Sequence, residues 1–83
     1  MEMYLMTYRI GGEDFTAQVC TMHSIAATIG ASDYTDDSDF RVYRLLPNTD
    51  PQPLQLSVEH KVGGVFLEDR WGNRIDHAYY EAH

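Results

Sequence analysis

Cysteine is almost missing from this 83-residue chain: Cys20 stands alone. One thiol cannot close an internal disulfide, so a reducing, cytoplasmic setting is expected. No apolar run approaches the roughly 18 residues that cross a membrane as a helix. The opening "MEMYLMTYRI" lacks a basic region followed by an apolar stretch and a small-residue cleavage site, so it reads as mature protein. Cations are scarce as well. Six Lys and Arg face thirteen Asp and Glu, a net charge of −7, which argues against direct nucleic-acid binding, because that binding draws its affinity from Lys and Arg displacing counterions. A partner, if charge selects it, is basic. The Gly-Gly pairs at 11–12 and 63–64 lack the spacing of a phosphate loop and read as turns.

What the chain has is enough apolar residue, 43% with ten aromatics, for one packed domain spanning 1–83. Strand periodicity comes first. In "MYLMTYRI" Tyr4, Met6, Tyr8 and Ile10 share one face, and in "FTAQVC" Phe15, Ala17 and Val19 alternate with Thr16, Gln18 and Cys20, so a β-hairpin whose second strand has one buried face is expected, with Cys20 as a small buried hydrophobe. The period changes at Thr21. Met22, Ile25, Ala26 and Ile29 form one helical stripe, with Thr21 as N-cap and Gly30 as a left-handed residue after the last turn. Two or three turns are unstable alone, so the stripe needs a sheet to pack on.

Further strands are expected in "FRVYRLL", in "LQLSVEHKV" with Leu54, Leu56, Val58 and His60 on one face, in "VFLED", and after the turn "RWGNRI" with Ile75, His77 and Tyr79 on one side. The turn-rich "PNTDPQP" separates the first two. The fold expected is α+β: one short helix on a mostly antiparallel sheet of five or six strands, in the order ββαβββ(β).

No metal, cofactor or catalytic role follows from the motifs. "DYTDDSD" fails the EF-hand pattern, since Ser38 stands where glycine is demanded and Arg44 where a bidentate Glu is needed. Cys20 and His23 have the spacing of half a zinc site, but His60, His77 and His83 supply no second pair. The same two residues as nucleophile and base lack any sign of an orienting carboxylate or oxyanion hole.

Two features suggest binding. Trp71, at the expected hairpin tip, is an interface anchor if exposed and a cap on the core if folded back. Tyr79 and Tyr80 cannot both face inward on a strand. The stretch "ASDYTDDSDF" holds Asp33, Asp36, Asp37 and Asp39 within seven positions without a cation. Neighbouring aspartates repel by about 1 kcal/mol per close pair in water. Such a stretch serves either as a solvated link between helix and strand or as an anionic surface, extended by Glu13, Asp14, Glu68, Asp69 and Asp76, that fits a basic groove.

In size, charge, single cysteine and this one loop the chain resembles the small anti-defence inhibitors of bacteriophages, the anti-CRISPR proteins, several groups of which mimic DNA. The class shares no motif, and the resemblance transfers no family residue. It implies a non-enzymatic inhibitor that blocks target DNA binding by occupying the basic surface of a partner such as a CRISPR effector subunit. The partner-binding residues expected are Asp33, Asp36, Asp37, Asp39, Glu68, Asp69, Trp71 and Asp76. Two other classes remain open: an interaction module such as an antitoxin or adaptor, using strand edges and the Trp71 hairpin with the charge incidental, and a small metal-binding protein or enzyme using Cys20 and the histidines.

Overall fold

The computed structural model describes residues 2–9, 12–32 and 39–80. Six strands and one helix follow one another as β1 (Tyr4–Arg9), β2 (Thr16–Cys20), α1 (Met22–Ala31), β3 (Asp39–Arg44), β4 (Gln52–Glu59), β5 (Gly64–Glu68) and β6 (Arg74–Tyr79). All pairings are antiparallel, in the spatial order β2-β1-β3-β4-β5-β6. This is an α+β fold with the helix in the middle of the chain. Because β2 and β3 both pair with β1, they run parallel to each other, and α1 is the crossover that joins them.

Periodicity at α1 converts directly into packing. Met22, Ile25, Ala26 and Ile29 are all buried, Thr21 Oγ1 accepts the Ser24 backbone N–H at 3.3 Å, and the helix packs against β6 and β5. The core joins this stripe to Tyr4 and Met6 of β1, Cys20, Val42, Val65 and Leu67. Each buried Met, Ile, Val or Leu among them contributes roughly 1.5 to 3 kcal/mol by leaving water. Leu54, Leu56 and Val58 of β4 pack half-buried against it.

The sheet cannot be flat. In flat pleat geometry β1 and β6, four strand spacings apart in this order, would be separated by about 19 Å. Yet the Tyr4 hydroxyl donates to Asp76 Oδ2 across only 2.7 Å. Curling is achieved at β4, which pairs with β3 through Gln52–Leu54 and with β5 through Gln55–Glu59, so the two halves of one strand serve two halves of the sheet.

The register of β1 with β2 sets Cys20 opposite Tyr4 and Val19 opposite Leu5. Cys20 is the one buried residue of β2, whereas Phe15 and Val19 are 55% and 57% exposed. Three local expectations are corrected. Gly30 lies inside α1, which continues to Ala31 and ends on Ser32, and it takes no left-handed conformation. Its role is close approach: a Cβ there would stand 2.6 Å from the Tyr80 ring. Finally, a register shift at Leu67/Glu68 breaks the expected Ile75, His77, Tyr79 face, so Ile75 packs against the core while His77 and Tyr79 point outward. His60 falls beyond β4 in a turn and is exposed.

Candidate functional site

The turn between β5 and β6 is built around one carboxylate. Asp69 accepts the backbone N–H groups of Trp71 and Asn73, both at 2.9 Å, and the Asn73 side-chain amide at 3.3 Å. Backbone bonds between Asp69 and Asn73 (2.9 Å) and from Gly72 to Asp69 (3.1 Å) close the loop, with Gly72 at φ 84°, a value that favours glycine. The Asn73 backbone N–H, followed by the other donors, holds the Asp69 carboxyl below its usual range despite some desolvation.

A turn fixed in this way presents Trp71 outward. The indole is 72% exposed, and the Arg70 guanidinium lies over its ring, 4.5 Å from the centroid. Beside it runs a groove of about 320 Å³ lined by the end of the β3–β4 connection, Thr49 to Pro51, by the start of β4, Gln52 to Leu54, and by Arg44, Asp69, Arg70 and Trp71. Prolines 51 and 53 stiffen that wall by fixing φ.

Arg44 ties the groove to the core. Its Nη2 donates to Glu2 Oε1 at 2.6 Å, and its buried Nε has no hydrogen-bond partner among the described residues. The Glu2 carboxyl is held below its usual range, first by this guanidinium and then by Tyr4. The Tyr4 hydroxyl sits 2.9 Å from Glu2 Oε2 and 2.7 Å from Asp76 Oδ2. One phenolic proton thus faces two carboxyls. Burial, reinforced by the Asp76 and Glu2 hydrogen bonds, raises the Tyr4 pKa well above that of a free phenol.

The expected site residues that the structure describes are spread across β3, β5, β6 and the β5–β6 turn. Asp33, Asp36 and Asp37 lie outside the described residues. Asp39 opens β3, pairs with Arg41 Nε at 3.3 Å and stands opposite Arg9 of β1. Asp69 and Trp71 lie toward the other end, beside Arg44 where β3 stops. Glu68 pairs with Gln55 of β4, by register only two residues along the sheet from the level of Asp39, and faces Arg74 of β6. Asp76 stands opposite Leu67 of β5, and its carboxylate is engaged by Tyr4 and by the His77 backbone N–H at 2.9 Å.

Cys20 is 5% exposed, and burial raises its thiol pKa, which works against a nucleophilic thiolate. Among the described residues no three His, Cys, Asp or Glu side chains come together as a metal site, and no helix is long and apolar enough to cross a membrane. Sequence reasoning missed Arg44, Arg70 and the groove. The only linear signal was the "PNTDPQP" turn stretch, and nothing in it announces that the curled sheet brings it beside Trp71.

These features define a small α+β domain that displays an exposed tryptophan on a hydrogen-bonded turn. No protein-family model matches the chain, and no curated protein or solved structure matches it.

Proposed function

We propose that this chain is a non-enzymatic protein-binding domain that docks on another macromolecule through the Trp71 hairpin and the groove beside it. The observation that carries the reading is Trp71 itself, 72% exposed on a turn held by three bonds to the Asp69 carboxylate. Exposed tryptophan on a pre-ordered turn loses little entropy on binding and supplies the large buried area typical of interface hot spots. The flanking Arg44, Arg70, Asp50 and Asp69 give the groove both signs of charge, suited to a polar rim around that anchor.

A second reading is favoured by the net charge of −7. In it the chain acts as an anti-CRISPR-like inhibitor, and Asp33, Asp36, Asp37 and Asp39, with Glu13 and Asp14, stand where DNA phosphates would stand on a basic effector subunit. The two readings use different residues, so variants separate them. Binding to a panel of purified CRISPR effector complexes is measured with labelled target duplex as competitor. On the hairpin reading Trp71→Ala weakens binding about tenfold or more, while Asp36→Lys/Asp37→Lys/Asp39→Lys changes it little. On the anionic reading the order reverses and affinity falls steeply with salt, because exposed ion pairs are screened over about 8 to 10 Å. Affinity unchanged by either set of variants contradicts both.

A further inference from the structure

We infer that the open edge of β2 pairs with β2 of a second copy of this chain, joining two sheets into one across a two-fold axis. The sheet has two edge strands, β2 and β6. They are treated differently. Strand β6 has α1 packed against it, Gly30 of the helix in contact range of Tyr80, and Tyr4 of β1 bonded to its Asp76. On its outer side β2 pairs with no strand among the described residues, and Thr16, Ala17, Gln18 and Val19 are all exposed.

Edge strands that remain solitary carry a guard: a lysine, a proline, a bulge or an inward charge. The β2 sequence, TAQVC, has none of these. In a chain with a net charge of −7, it is an uncharged five-residue edge whose outward-facing backbone donors and acceptors meet no strand among the described residues. A strand edge is self-complementary when a second copy approaches antiparallel, which is the isologous geometry of a two-fold dimer.

One register pairs all five residues, with Gln18 opposite its own copy, Ala17 opposite the second Val19 and Thr16 opposite the second Cys20. The alternation of the pleat then keeps both buried faces on one side. On the outer side the exposed Phe15 and Val19 gain cross-strand neighbours. Charge also fits this geometry. The antiparallel approach brings the end of β2 that follows Glu13 and Asp14 toward the end of the other β2 that leads into α1, whose first turn has no acid of its own. Carboxylates are stabilised at that positive end of the helix dipole.

Sedimentation of the full chain across about 1 µM to 1 mM, the range suited to a small interface, tests the inference. The wild-type mass should climb from monomer to dimer. Ala17→Lys/Val19→Lys and Ala17→Glu/Val19→Glu each put like charges directly opposite one another and should weaken self-association about tenfold or more. Mixing the two variants should restore a dimer of one copy each, because unlike charges then meet in both pairs. Both positions are exposed, so the variants keep the monomer fold, checked by their thermal melts. Hydrogen exchange of β2 amides should slow with concentration in the wild type only. A wild-type chain that stays monomeric at the highest concentration, or variants that dimerise alone as well as when mixed, overturns the inference.

Discussion

Replacing Tyr4 with Phe removes one oxygen and one proton from the place where the first strand meets the last. The hydroxyl donates to Asp76 at 2.7 Å and lies 2.9 Å from Glu2. A hydrogen bond to a charged group contributes about 1.5 to 3 kcal/mol net. The lower end applies, because Asp76 retains the His77 N–H and Glu2 retains Arg44. Tyr4→Phe should therefore destabilise the fold by about 1.5 kcal/mol, or roughly 6 to 12 °C in Tm for a domain of this size. The pH dependence distinguishes this cause from lost packing. A phenol whose folded pKa is raised contributes stability that is complete below the unfolded value near 10 and is lost as pH rises through the folded value. Urea unfolding followed by circular dichroism, at pH 7 and at about pH 10.5, should show the wild-type advantage shrinking at the higher pH. A difference under about 0.5 kcal/mol at pH 7, or one that is the same at both pH values, would refute the closure of the sheet through Tyr4.

Gly30→Ala should destabilise by about 1 to 3 kcal/mol in thermal melts, although alanine is the better helix former by about 1 kcal/mol, because the new methyl meets the Tyr80 ring stem. A more stable variant would show that the helix and β6 are not in contact there. Asp69→Ala should lower Tm at neutral pH. Since the folded Asp69 pKa is depressed, its contribution is present above the unfolded value near 3.9 and fades as pH falls through the folded one, so the two proteins should converge in acid. Divergence that persists at low pH would assign the effect to something other than the carboxylate. Cys20 should react with a thiol reagent slowly in the native protein and fast in urea, as its burial and raised pKa require; immediate native labelling would contradict its place in the core.

Where local physics decides, the sequence was readable. The Met22, Ile25, Ala26, Ile29 stripe and the Thr21 cap follow from period and hydroxyl position, and both stand in α1. The alternating strands and their antiparallel pairing were legible for the same reason. What escaped was set by register and distance. The alternation in "FTAQVC" does not say which face is inward until Tyr4 is matched with Cys20, which turns Phe15 and Val19 outward. Gly30 looks like a helix terminator because glycine serves both as a cap and as a point of close approach, and only the neighbour Tyr80 tells which. The site was half legible. Trp71 and Asp69 were visible as turn residues, but the groove depends on Arg44 and Pro53 being carried to Trp71 by the bend in β4. The bond between Tyr4 and Asp76 spans 72 positions and has no sequence signature.

The chain contains one tryptophan, so 5-fluorotryptophan incorporation places a single fluorine reporter on the proposed contact. Adding an effector complex or other partner that the chain binds should shift and broaden the fluorine resonance of Trp71 and shield it from a solvent relaxation agent. A resonance that keeps its position, width and solvent access while the complex forms would contradict the account.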